Sequence, residues 1–219
     1  MAPTSTSTST STAPYATLLT FSRYVERTGP AKATFVGGLR RARQARSGFN
    51  PHGQFIKALK SDIQFRTRGD QLALTVVRDS VAPRWRPLYT ALHAGGVRYL
   101  ESLGDPASVG LAQIRDALAV VGGLTVKINP QLGLRYEDGH AEAVRLHFDE
   151  QPPSAELVVA TLHLMAEQMH QMLPKAEPVL VDLRRGEVHR RDPKVRPDEV
   201  RRWLAGEAAA FTAMWGTAA

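Results

Sequence analysis

Residues 124–190 read LTVKINPQLGLRYEDGHAEAVRLHFDEQPPSAELVVATLHLMAEQMHQMLPKAEPVLVDLRRGEVHR, and their apolar spacing decides the fold. Leu124, Val126 and Ile128 alternate, as do Leu132, Leu134 and Tyr136, then Val144, Leu146 and Phe148, then Val179, Val181 and Leu183. Successive side chains on a strand point to opposite faces, so each set lies on one face of one strand. EDGH at 137–140 supplies the turn between the second and third strands. From Ser154 the period changes, and Val158, Leu162, Met165, Met169 and Met172 form a helical stripe. Methionines in such a stripe are core fillers. The order is therefore strand, strand, strand, helix, strand, with a short closing strand after Gly186. The pattern predicts that the apolar strand faces pack on this helix. Lys127, Arg135, Arg145, His147, Asp182 and Arg184 then share the opposite face, as a solvated surface or as the floor of a site.

Towards the N-terminus, Val109, Ile114, Leu118 and Val121 predict a helix over 107–121, closed by Gly122-Gly123 and partly covering that polar face. Pro83–Leu103 reads as another helix, with Leu88, Leu92 and Tyr99 inward, bent at Gly95-Gly96 and stopped by Gly104-Asp105-Pro106. Residues 70–80 fit a strand or a helix equally. Three more helices precede them. The first runs from Tyr15 to Arg27, and Thr28-Gly29-Pro30 ends it. The second starts at Pro30, presents Phe35, Val36 and Leu39, and runs into Arg40, Arg41, Arg43 and Arg46, with Gly37-Gly38 marking a close helix contact. The third has Asn50 as its cap and Pro51 in first position; Phe55, Ile56, Leu59 and Ile63 lie on one side, and Lys57, Lys60 and Gln64 on the other. Residues 1–13, nearly all Ser and Thr, read as a disordered tail. A final helix is expected over 197–214, with Trp203, Leu204 and Phe211.

The class is α+β: a basic helical region over 14–104, then a helix–three strands–helix–strand unit and a C-terminal helix over 105–219. The pattern leaves open whether the two regions share one core. At 219 residues the chain can bury a real core without staples. It has no cysteine, which excludes disulfides, thiolate metal sites and a cysteine nucleophile. No run approaches a membrane span and no secretory leader opens the chain, so a cytoplasmic protein without a membrane partner is expected. The net charge of +7 is unevenly spread. Twelve Lys/Arg face four Asp/Glu before residue 81, seven face eight over 81–150, and nine face nine thereafter. A basic first third implies a polyanionic partner, nucleic acid before membrane, or else a solvated basic surface.

The order of elements over 107–184 resembles the core of the PD-(D/E)xK nuclease fold, particularly its RecB-type branch. In that family the second strand reads glycine, apolar, aspartate, and the third carries an acidic-x-lysine motif. Here Gly133-Leu134-Arg135-Tyr136 stands in the first place and Arg145-Leu146-His147 in the second, while Leu183-Arg184-Arg185-Gly186-Glu187-Val188 matches the closing strand pair. The resemblance covers about a third of the chain. The chemistry needs carboxylates around a hard divalent cation. Arginine cannot ligate a metal but holds phosphate well. The resemblance therefore implies a version without catalysis, kept for binding or assembly.

Other constellations carry less. His163, Glu167 and His170 share a helix face with a metal-ligand spacing, but no second set of acids matches them, so they read as a solvated face. Arg84-Trp85-Arg86 sets an aromatic between cations, as base stacking or a packing anchor. The expectation is a non-catalytic nucleic-acid-binding protein, or a subunit of a nucleic-acid-processing complex, without a cofactor. Arg40, Arg41, Arg43, Arg46, Lys57 and Lys60 would contact phosphate, and Arg135 and Arg145 would extend the surface. The alternatives are a subunit docking an acidic protein and a divergent metal-dependent nuclease.

Overall fold

A computed structural model describes residues 14–45, 50–67 and 69–217; the Ser/Thr tail and Arg46 lie outside them. Among the described residues the fold is α+β, with eight helices and two mixed sheets of three and five strands. No helix there is long and apolar enough to cross a membrane.

One long hairpin links the two sheets. Its first arm is β2 (Val109–Ala112) and β3 (Ala117–Val121); its second is β4 (Leu124–Ile128) and β5 (Leu132–Tyr136). The pairing keeps a single register from Val121↔Leu124 at the tip to Val109↔Tyr136 at the base. At the tip Gly122 and Gly123 both have positive φ, +49° and +85°, as a two-residue hairpin turn of this twist requires. The helix expected over 107–121 is thus two strands. Ala117 and Ala119 are buried while Leu118 and Val120 point outward, so the strand alternation was carried by small residues on its inner side. Midway, the arms cease to pair at 113–116 and 129–131, where Pro130 offers no N–H. The outer half then joins β1 (Tyr15–Thr17) in the order β1-β4-β3. The inner half joins β6 (Ala141–His147), β7 (Glu177–Asp182) and β8 (Glu187–His189) in the order β2-β5-β6-β7-β8. The three successive strands of the sequence pattern are therefore divided between two sheets.

The helices form two cores around these sheets. α1 (Leu18–Val25) begins after the Tyr15–Thr17 strand rather than at Tyr15, and Thr17 caps it. α1, α2 (Pro30–Gln44), α6 (Ala155–Glu167), α7 (Met169–Met172) and α8 (Pro197–Thr217) enclose the inner face of the small sheet, with Phe21, Val126, Met165, Leu204 and Phe211 at its centre. α3 (Gly53–Phe65), α4 (Ala73–Ser80) and α5 (Arg86–Ser102) cover one face of the large sheet, burying Leu132, Leu134, Val144, Leu146, Val179 and Val181. Strand parity follows the sequence pattern, but the helix against the apolar face does not. α6 lies on the other side, with Met165 in the first core, beside Met169 and Met172 of α7, and Leu157 and Leu162 against Leu180. The methionines are core, as expected: Met165, Met169 and Met172 are buried.

Smaller details follow from local chemistry. α3 starts at Gly53 rather than at Pro51, because Asn50 Oδ1 accepts the His52 amide at 3.0 Å and closes a turn first. The ambiguous 70–80 stretch becomes α4, whose first amides, Ala73 and Leu74, donate to the buried Asp62 carboxylate at 2.6 and 3.0 Å. Each half of the sequence feeds both cores, so 14–104 and 105–219 do not pack separately.

Candidate functional site

α2 was expected to offer a row of phosphate-binding arginines, and two of them, Arg40 and Arg43, are engaged within the protein. Arg40 Nη1 donates to the Trp215 carbonyl at 3.2 Å. Arg43 donates to the Tyr15 carbonyl, and its guanidinium stands 4.7 Å from the Trp215 ring centre and 5.2 Å from that of Tyr15. These two residues fasten α2 to the end of α8 and to β1. A planar cation that stacks and donates at once suits this work. Arg41 is exposed. Gly37 and Gly38 mark no close contact: a Cβ at Gly38 would meet nothing within 4 Å.

α3 matches its expectation more closely. Its apolar stripe faces the second core; Lys57 is exposed and Lys60 half-buried on the outer side. The helix ends on Phe65, 73% exposed, and Arg66, which leaves in the left-handed region at φ +57°. Lys57, Lys60 and Arg66 form no ion pair among the described residues. The apolar spacing did not single out Phe65 or Arg66; the signal available was a large apolar residue off the buried stripe, next to a cation.

Arg135 and Arg145 lie on different parts of the large sheet. Arg135 is exposed and opposes Ala141, whereas Arg145 stands four residues further along β6, about 13 Å away at strand spacing. Arg145 is also only 5% exposed, so it is no part of a binding surface. Its Nη1 donates to Asn129 O at 2.7 Å and Asn129 Oδ1 at 3.3 Å, while Nε has no partner. Burial, reinforced by Arg23 and opposed by Asp116, brings its pKa down to about 10. The side chain that meets Arg145 across the hairpin is thus an amide, Asn129, and not Arg135.

Away from Arg135 the polar face of the sheet is buried at Arg145, His147 and Asp182, with Arg145 Nε and His147 Nδ1 left without partners. His147, 3% exposed, meets the Gln151 carbonyl at 3.1 Å through Nε2. Asp182 is fully buried and caps the β7–β8 turn, taking the Arg184 amide at 3.0 Å and Arg185 Nη1 at 2.7 Å. Glu142, on the opposite face, receives the Tyr136 hydroxyl at 3.1 Å and Arg190 Nη2 at 2.6 Å. These carboxylates are engaged by protein donors, and no three His, Asp or Glu among the described residues are grouped to hold a metal ion. His163, Glu167 and His170 do not share a helix face: α6 ends at Glu167 and His170 belongs to α7. His163 is buried rather than solvated. Trp85 packs on the second core with the Arg84 guanidinium 5.4 Å from its ring, the anchor reading of that triplet.

No protein-family model matches the chain, and no curated protein matches it.

Proposed function

We propose that the protein binds nucleic acid without cutting it, alone or as a subunit of a nucleic-acid-processing complex. The observation that carries this reading is the outer side of α3. Lys57, Lys60 and Arg66 have no ion-pair partner among the described residues, and Phe65 stands exposed beside them. Cations of this kind hold a phosphate backbone, and an exposed ring gives an unpaired base a surface on which to stack. Arg41 and Arg135 add exposed charge elsewhere. The resemblance to the PD-(D/E)xK core rests on its second half alone, because β2 and β3 stand where its leading helix was expected and β4 lies in the other sheet. Two features of that half bear on the resemblance and on the loss of its chemistry. The β5–β6 hairpin is followed by α6 and a β7 strand parallel to β6. The guanidinium of Arg145 meets an amide where that chemistry needs a carboxylate.

The test is fluorescence anisotropy of labelled single- and double-stranded oligonucleotides across a salt series. Wild type should bind and weaken with salt. Joint replacement Lys57→Gln, Lys60→Gln and Arg66→Gln should flatten the salt slope on duplex by about 0.9 for each phosphate no longer neutralised. Phe65→Ala should weaken single strands more than duplex. Added magnesium or manganese should leave the oligonucleotides intact, and cleavage would overturn the non-catalytic half of the reading. No binding at low salt would overturn the rest and put an acidic protein partner in its place.

A further inference from the structure

A cavity of about 380 Å³ lies between α6 and the segment 189–197 that joins β8 to α8. That volume is at the low end of the range for small-molecule sites. Its walls are largely apolar: Ala155, Val158, Val159 and Leu162 on α6, with Val195 and Pro197 opposite. Two imidazoles interrupt them. His163 is 6% exposed, and its Nε2 has no hydrogen-bond partner. Glu167 Oε1 lies 3.5 Å away but is held by Arg201 Nε at 2.7 Å. His189 Nε2 is likewise buried without a partner. Leaving such groups unpaired costs free energy, and both residues belong to the cavity wall, so a ligand whose polar end reaches these nitrogens would recover that cost.

The charges around the cavity choose the sign of that ligand. Arg190 and Arg191 line it, and Arg191 forms no ion pair among the described residues. The single acid in the lining, Asp192, is occupied as a turn cap, its Oδ1 taking the Lys194 amide at 2.8 Å. Burial holds the His163 pKa below its usual value, so at neutral pH this imidazole meets a ligand as a neutral donor or acceptor. We propose that this cavity binds a small amphipathic carboxylate, its aliphatic or aromatic body between α6 and Val195 and its head group at His163, His189 and Arg191.

The test is calorimetric titration of the full chain with sodium octanoate and, separately, with 1-octanol, which has the same body without the charge. Wild type should bind octanoate saturably at one site, about tenfold or more tighter than octanol, as loss of a charge-assisted hydrogen bond implies. Arg191→Gln should remove most of that preference and leave octanol affinity unchanged. Ala155→Trp, at an exposed position of the cavity wall, should abolish binding of both while the melting temperature stays that of wild type. Nitrogen-detected spectra should show the ring signals of His163 and His189 move on octanoate addition. The proposal is overturned by the absence of saturable octanoate binding, by equal affinity for the two probes, or by octanoate binding that persists in Ala155→Trp.

Discussion

Arg145 holds a guanidinium at a position only 5% exposed, with hydrogen bonds to one residue, Asn129, and one nitrogen unpartnered. Two opposed effects decide what that charge contributes. A pKa brought from 12.5 to about 10 corresponds to roughly 3 kcal/mol against the charged form, at about 1.4 kcal/mol per unit. Removing the side chain's donors strands the Asn129 carbonyl, which costs about 1–3 kcal/mol. These nearly cancel. Arg145→Met, which keeps the volume and drops the charge, should therefore change stability by less than about 1 kcal/mol in urea unfolding. Arg145→Ala adds a cavity and should cost more than about 2 kcal/mol. A large loss in Arg145→Met would show that the charge itself stabilises the hairpin corner. Neither variant should alter the salt slope of nucleic-acid binding, because the residue does not reach the surface. Sequence could not indicate this. Arg145 and Lys57 look alike as letters, and what separates them is that Arg145 is buried against Asn129 while Lys57 stands exposed.

At the scale of elements, strand parity was readable because one face of every β4–β7 strand is apolar, and a period of two is hard to mistake. The exception is β3. There the inner residues are alanines and the outer ones are Leu118 and Val120, 60% and 77% exposed, so the apolar pattern fitted a helix as well as a strand. Two glycine pairs show the same limit. Gly95-Gly96 sits in α5 where a bend was expected, yet the helix runs through from Arg86 to Ser102. The glycines are there for contact: a Cβ on Gly95 would stand 2.0 Å from the Leu183 carbonyl oxygen, where α5 presses on the β7–β8 turn. Backbone cannot retreat as a side chain can. Gly95→Ala should therefore cost more than about 3 kcal/mol, beyond ordinary overpacking. Gly38 in α2 is the reverse case, with open space around it and an ordinary helical backbone. Gly38→Ala should stabilise by about 0.5–1 kcal/mol through helix propensity alone. Urea midpoints of the two variants check both signs. A tolerated Gly95→Ala would mean that α5 does not lie flush on the turn.

For the whole molecule, the question left open by the sequence pattern was whether its helical and sheet-bearing parts fold as one. The β2–β5 hairpin enters both sheets without changing register, and β6 gives Ala141 and Ala143 to one core and Val144 and Leu146 to the other. Unfolding either core alone would expose one side of β6 and break the hairpin in the middle, which removes the pairing that the other core depends on. The tryptophans are placed to report on this. Trp85 packs on the second core, and Trp203 and Trp215 on the first. Trp85→Phe leaves fluorescence from the first core only, and the double variant Trp203→Phe with Trp215→Phe leaves it from the second only. For each variant the fluorescence midpoint in urea should coincide with the midpoint of its far-ultraviolet circular dichroism, as one cooperative unit requires. The comparison is made within each variant because Trp215 also receives the Arg43 guanidinium, and its loss is expected to shift the absolute stability. Coincidence in one variant alone would locate a sub-global unit. Separation in both would mean that the hairpin joins two domains that fold independently, and that the basic α3 face could then be studied on the second domain by itself.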